Sequence, residues 1–305
     1  MAAVLAEWAL KKDIYVYGTV YDVAEHRALS LCTQDKKYVD RMRGSKYIPA
    51  FTEDGIRQCF STSKQVLFIG TPCMVYSMKK LVSLLHQEDR FYFVDFVCHG
   101  VPSLEAWKSC IHMLEEKQKG KVEDVSFRSK YYGWHNKTIE YTLNSAGQEV
   151  YIRRKRKDDW FMRLFDASFL QNESCFTCPA NNQYSAADIR LGDCWGSMFE
   201  NNDLGVSRLA ICTDKGRILW EHVSDKLEFG ECEEISYKKD NTYYLLPRKK
   251  PQLKQEALRL LQQGKDCKDV WRLYCHSRPL KNRLWDKLPK QVQNWYHSIK
   301  NGMVR

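Results

Sequence analysis

Val66-Leu67-Phe68-Ile69-Gly70-Thr71-Pro72-Cys73 is an apolar run that leads into a cysteine, and Phe93-Val94-Asp95-Phe96-Val97-Cys98-His99-Gly100 is a second. Between them, Met74 to His86 carries apolar residues at helical spacing. Short continuous apolar runs bounded by turn residues read as strands buried on both faces. The stretch is therefore strand, cysteine loop, helix, strand, cysteine loop. A right-handed crossover of this kind makes the two strands parallel. Their carboxyl ends then share one edge of the sheet, which is where open α/β sheets place ligands. Cys73 and Cys98 are thus expected at a common edge.

Working outward, residues 2–12 predict a short helix, Ile14 to Tyr21 and Ala28 to Thr33 two strands, and Asp54 to Ser61 a helix. Ser103 is placed to cap a helix over Leu104 to Lys117. After Gly120 the pattern predicts strands over Val122–Arg128, Lys137–Leu143 and Glu149–Arg153, with Asn144-Ser145-Ala146-Gly147 as a hairpin turn. An amphipathic helix over Asp159–Phe169 leads into Cys175-Phe176-Thr177-Cys178-Pro179. Ala187 to Gly196 reads as a strand entering a Gly-rich turn, Leu209 to Thr213 as a strand, and Lys215 to Ser224 as a helix. From Pro247 onward the chain is helical, basic and amphipathic. The expected fold is α/β: a mixed sheet with a parallel βαβ unit carrying the cysteine loops, plus a helical basic C-terminal region. The corresponding division is 1–245 and 246–305.

With 305 residues, 44% hydrophobic and 28% charged, the chain has the composition of a soluble globular protein. No run of ~18 apolar residues is present, so no membrane span is expected. The N-terminal stretch lacks a basic flank and a cleavage site, so no secretory signal is expected either. Twelve cysteines without an export signal point to a reduced, cytoplasmic setting in which some thiols serve metal or redox chemistry. Cys32, Cys59, Cys110, Cys212, Cys232, Cys267 and Cys275 have no partner at ligand spacing and are expected to be small buried hydrophobes. The net charge of +10 is concentrated in Arg153-Arg154-Lys155-Arg156-Lys157 and in the tail from Arg248 to Arg305. No helix-turn-helix, zinc-finger or RNA-recognition pattern accompanies it, so nucleic acid is not the favoured partner. An acidic protein, an anionic cofactor or plain solvation accounts for the charge.

Cys175-x-x-Cys178-Pro179 is the strongest local motif, because two intervening residues let both sulfurs address one centre. With Cys73 and Cys98 it completes four thiolates, soft ligands suited to iron–sulfur or zinc. Structural zinc sites usually use two compact pairs, whereas here only one pair is compact; the distribution favours iron–sulfur. Gly70-Thr71-Pro72-Cys73 opens a helix, whose free N–H groups lower thiol pKa values and can hold phosphate. Arg43-Gly44-Ser45-Lys46-Tyr47 offers a cation, small residues and an aromatic ring in one loop, which could serve a flavin or be a solvated basic turn. Phe127-Arg128-Ser129-Lys130 with Gly133-Trp134 has the same two readings. His99 reads as a packing residue beside Cys98, and Asp193 as a turn residue bonding its own backbone. No side chain stands out as an acid–base catalyst.

Taken in order, the Arg43–Tyr47, Val66–Cys73, Asp95–Pro102, Phe127–Trp134, Ser174–Pro179 and Ala187–Gly196 segments resemble the coenzyme F-420 hydrogenase/dehydrogenase beta-subunit family across residues 14 to 200. The resemblance implies an α/β domain that binds FAD and a 4Fe-4S cluster. Such proteins pass electrons between iron–sulfur carriers, such as a ferredoxin, and a small two-electron acceptor. Carried over by position, Cys73, Cys98, Cys175 and Cys178 become cluster ligands. Gly44, Ser45, Lys46 and Tyr47 become flavin contacts, with Thr71 near the same site. This chain departs from the family pattern in lacking the N-terminal ferredoxin-like segment and the Gly-rich turn before the first helix. It also has Met74 where Gln is common and Ala180 where an aromatic often follows Cys-Pro. A degenerate, non-catalytic member that binds a partner or zinc is the alternative.

Overall fold

The computed structural model describes residues 1–180, 185–195, 197–231 and 250–285, with 288, 289, 291, 292 and 299. Gly196, Cys232 and most of the tail beyond Trp285 lie outside the described residues. The chain begins with α1 (Ala2–Lys11), β1 (Tyr15–Asp22), β2 (Arg27–Thr33), α2 (Lys36–Arg41), β3 (Ala50–Phe51) and α3 (Glu53–Ser61). The βαβ unit follows as β4 (Val66–Gly70), α4 (Pro72–Leu84) and β5 (Phe91–Phe96), paired parallel from Val66↔Phe91 to Gly70↔Asp95. Next come α5 (Leu104–Gln118), β6 (Lys121–Ser129), β7 (Thr138–Ser145), β8 (Gln148–Arg154) and α6 (Trp160–Ala167). The remaining described elements are β9 (Ile189–Asp193), β10 (Ser207–Ile211), α7 (Asp214–Glu221), α8 (Pro251–Gln262), α9 (Cys267–Ser277) and α10 (Leu280–Trp285).

Seven strands form one sheet in the order β10-β9-β5-β4-β1-β2-β3, and β6-β7-β8 form a separate antiparallel meander. β1, β4, β5 and β9 run parallel at the centre of the large sheet; β2 and β10 pair antiparallel with β1 and β9. The near-continuous apolar runs of β4 and β5 follow from burial on both faces. Val66, Phe68, Phe91 and Phe93 pack on one side with Val75, Met78 and Val82 of α4. Leu67 and Val94 point to the other side, where Leu5, Trp8 and Ala9 of α1 and Leu219 of α7 cover them.

A third cluster lies between the small sheet and the helices. Trp107 of α5 is fully buried against Phe127, Tyr141 and Phe161, with its ring 4.7 Å from that of Phe161. Ala257 of α8 and Cys267 and Val270 of α9 belong to the same core. The amphipathic C-terminal helices thus complete the core over the small sheet.

Several local expectations change. α2 carries no clear sequence signal because Lys36-Lys37-Tyr38-Val39-Asp40-Arg41 buries only Val39; Asp35 starts it by accepting from Lys37 N–H at 2.9 Å. Ser103 occupies the cap position of α5 without a side-chain cap, and its N–H donates to Leu170 C=O at 3.0 Å. α6 stops at Ala167 rather than Phe169, since Ser168 takes a left-handed conformation (φ 55°). Cys212 is exposed and Cys275 half-buried, contrary to the buried role expected, whereas Cys32, Cys59, Cys110 and Cys267 are buried. The basic block largely folds onto its own carboxylates: Arg153 pairs with Glu140, Arg154 with Asp159 at 3.5 Å, and Arg156 with Asp166 at 2.8–2.9 Å.

The central strands are tied by a buried ion pair. Asp95 of β5 and Arg190 of β9 are register neighbours, 0% and 6% exposed. Arg190 donates from Nε at 2.9 Å and Nη2 at 2.7 Å to the two carboxylate oxygens, and Ser185 Oγ adds a 2.7 Å bond. Such a fork satisfies both charges where water cannot. Gly216 of α7 packs close to the start of β9: a Cβ there would meet Asp188 C=O at 2.0 Å, so only glycine permits this approach of helix to strand. Arg190→Met leaves Asp95 buried and unpaired and is expected to cost about 3–5 kcal/mol in urea unfolding. The double replacement Asp95→Leu/Arg190→Met should recover most of that loss.

Candidate metal centre and its cationic flank

The candidate thiols are delivered by three different pieces of this framework. β4 ends at Gly70, Thr71 takes the cap position, Pro72 opens α4, and Cys73 follows it in the first helical turn. Proline is preorganised there because the missing N–H would have no partner. Thr71 Oγ1 lies 3.3 Å from Cys73 Sγ, and Cys73 is exposed. Beyond β5, Val97 N–H continues the ladder to Leu191 C=O at 3.0 Å, and Cys98 comes next, with Gly100 at φ 82° turning the chain.

The third piece is the loop after α6. Pro102 and Gln171 form an antiparallel bridge, flanked by Ser103 N–H to Leu170 C=O (3.0 Å) and Asn172 N–H to Val101 C=O (2.8 Å). Gln171 Nε2 donates to His99 C=O at 3.3 Å, and Lys254 Nζ of α8 donates to Gln171 C=O at 2.7 Å. A 3-10 turn, Glu173–Thr177, then presents Cys175 and hands over to Cys178. Cys98, Cys175 and Cys178 are half-buried.

Cys98 and Cys175 feel the other candidate thiols. Burial pushes the Cys98 thiol up to about 12, opposed by the Gly100 amide and reinforced by Cys73, Cys175 and Cys178. Burial likewise raises Cys175, opposed by the Val101 amide and reinforced by Cys73 and Cys178. The fold therefore brings all four sequence-predicted sulfurs into one neighbourhood. Among the described residues, no three His, Cys, Asp or Glu side chains are gathered into a shell for a single metal ion.

The loop expected to contact flavin divides in two. Gly44 (φ 79°) and Ser45 are exposed, and a Cβ on Gly44 would meet nothing within 4 Å, so this corner is open. Lys46 Nζ instead folds back onto Arg41 and Arg43 C=O, both at 2.9 Å, and burial pulls its pKa down to about 8. Tyr47 packs inward, its ring 4.9 Å from Phe165 and 6.0 Å from Phe127, with the Arg156 guanidinium 5.6 Å from its centroid.

Next to His99 the structure assembles residues that lie far apart in sequence. Asp193 does not bond its own backbone as expected; its carboxylate accepts from Arg128 Nη2 at 3.0 Å. Trp134 and Trp195 stack at 4.2 Å with an interplanar angle of 5°. Lys137 Nζ lies 4.4 Å from the Trp195 centroid. Burial lowers the His99 pKa, helped by Arg156 and Lys137. Lys137 and Arg156 carry no sequence signal beyond belonging to a strand start and a basic block.

A model of the C terminus of the beta subunit in the coenzyme F420 hydrogenase/dehydrogenase family matches residues 63–235. The chain belongs to that family. The matched stretch includes the four candidate cysteines and Thr71 and excludes the Gly44–Tyr47 loop. Among solved structures, a chain of the F420-reducing NiFe hydrogenase complex from Methanosarcina barkeri is similar at 16% identity and a TM-score of 0.49, covering 87% of this chain and 82% of that one. No curated protein matches this F420 hydrogenase/dehydrogenase beta-subunit member.

Iodoacetamide reacts with thiolates, so in metal-free protein at about pH 8 the raised Cys98 thiol should stay protonated and unlabelled. Exposed Cys73 should label first, and Cys98 should become reactive as pH rises toward its pKa. Peptide mass spectrometry of the alkylated protein checks the order.

Proposed function

We propose that the chain is a redox module of the F420 hydrogenase/dehydrogenase beta-subunit type, in which Cys73, Cys98, Cys175 and Cys178 hold a 4Fe-4S cluster. The observation that supports this reading is that thiols from three separated segments at the C-terminal edge of a parallel sheet come within electrostatic reach of Cys98 and Cys175. Thiolates suit iron–sulfur and zinc alike; one compact Cys-x-x-Cys pair with the other two thiols on separate strand ends favours iron–sulfur over a structural zinc site.

A bound cluster supplies one-electron transfer; the chain's own residues set its surroundings. The Gly100 and Val101 amides offer donors toward Cys98 and Cys175, and hydrogen bonds to ligand sulfur tune a cluster's potential. The first turn of α4 directs its positive end at Cys73. FAD is the two-electron partner that this reading assigns, with Gly44, Ser45 and Thr71 as the open contacts. Lys46 and Tyr47 are held by Arg41, Arg43 and the core, so they contribute to loop shape rather than to flavin contact. Electrons would pass between a ferredoxin-type iron–sulfur protein and a small-molecule acceptor, in the reducing cytoplasm. Among the described residues no helix is long and apolar enough to cross a membrane.

The same engagement of Lys46 and Tyr47 favours a second reading, a member that keeps the metal centre and has lost flavin. Anaerobic purification tests both. The first reading predicts a brown protein with about four irons and four sulfides per chain, both lost in Cys175→Ser. It also predicts quenching of FAD fluorescence on titration. Iron and sulfide without FAD binding selects the second reading, and a colourless chain with zinc alone overturns the cluster.

A further inference from the structure

Among the described residues β8 ends the small sheet, with no strand beyond it. Ala146 (φ 52°) and Gly147 (φ 80°) make a two-residue I′ turn, and Ser145↔Gln148 is the pair that closes it. Such a turn closes on a hydrogen-bonded pair, and these pairs then alternate along the ladder. Gln148, Val150, Ile152 and Arg154 therefore spend their backbone groups on β7. Those of Glu149, Tyr151 and Arg153 point away from it, and among the described residues no main-chain bond reaches them. The side chains alternate with the same period. Val150 and Ile152 pack on the third core cluster, whereas Glu149 is exposed and Tyr151 is 46% exposed. Arg153 shares that outer face, its guanidinium 4.9 Å from the Tyr151 centroid and 4.0 Å from that of Tyr131.

Folds normally blunt an open edge. β6, the opposite edge of the meander, starts with Lys121 and carries register shifts at Val122/Asp124 and Ser126/Ser129, and β3 has only two residues. β8 has none of these devices: its seven residues, without proline or lysine, pair with β7 in unbroken register. The strand is also self-complementary. Antiparallel pairing with a copy of itself, centred on Tyr151, uses its whole length. Glu149 then faces Arg153 of the second copy, twice by symmetry, while Tyr151 faces Tyr151 and Val150 faces Ile152. Opposite charges, aromatic rings and branched aliphatic groups are the pairs that stabilise neighbouring strands. Moving the two-fold axis to Val150 would set Glu149 against Tyr151 and lose the charge match. Arg153, which already answers Glu140, gains a second carboxylate. We propose that β8 is a homodimerisation strand, joining two meanders into one continuous sheet across a two-fold axis at Tyr151. The partner is a second copy of this chain, and the inference does not depend on the metal centre.

Sedimentation velocity of the full chain, purified anaerobically and kept in thiol reductant, tests this across a concentration series. A reversible monomer–dimer equilibrium is expected. Hydrogen exchange should show the Glu149, Tyr151 and Arg153 amides protected at the dimer end of the series and exchanging freely on dilution. Tyr151→Pro removes both central N–H donors without touching the β7 ladder and should abolish the dimer. Glu149→Arg sets like charges opposite each other at two places and should weaken dimerisation about tenfold or more. Arg153→Glu does the same with acidic pairs. An equimolar mixture of these two variants should dimerise, since each supplies the charge that the other lacks. Should Arg153→Glu fail to fold beside Glu140, Tyr151→Pro and the exchange pattern still decide. A folded chain that stays monomeric throughout overturns the proposal, and so does a dimer left unchanged by folded Tyr151→Pro.

Discussion

Two main-chain hydrogen bonds around the Pro102–Gln171 bridge make one site from remote parts of the chain. Without them the Cys98 loop would end β5 in solvent, and the Cys175-x-x-Cys178 turn would hang from α6. Backbone bonds of this kind contribute only about 0.5–1.5 kcal/mol each, too little to order a loop of this length unaided. The stronger anchor is apolar. Phe169 and Leu170, immediately before the bridge, are 2% and 0% exposed, and burial of such side chains contributes about 1.5–3 kcal/mol apiece. Burial fixes where the segment lies and the bridge fixes its register. Lys254 on Gln171 C=O then ties α8, outside the stretch matched by the family model, to the same clamp.

The electrostatics of the edge follow from this packing. Desolvation disfavours thiolates at Cys98 and Cys175, so the free thiols hold their protons tightly. A metal centre reverses that preference, because coordination deprotonates the thiol outright and its affinity includes the proton release.

The βαβ core, the meander and three thiol-bearing loops are legible in the sequence because each rests on a local pattern. Apolar runs, a hairpin turn and Cys-x-x-Cys need no knowledge of distant residues. What escapes depends on long-range pairing. Asp193 reads as a self-bonded turn residue because nothing near it in sequence announces Arg128. The basic block leaves an acidic protein, an anionic cofactor and plain solvation open in the sequence, whereas in the fold Arg154 and Arg156 answer Asp159 and Asp166 at the start and within the following helix. The surroundings of Lys46 and Tyr47 escape the sequence in the same way. The carbonyls at the end of α2 and the small-sheet core that engage them leave no local trace, since α2 carries only one buried residue.

The central claim is that four sulfurs from three loops surround one inorganic centre. Anomalous diffraction at the iron absorption edge, from crystals grown anaerobically, tests it most directly. The account predicts a single strong iron peak enclosed by Cys73, Cys98, Cys175 and Cys178. An iron peak elsewhere, or a signal at the zinc edge alone, would contradict it.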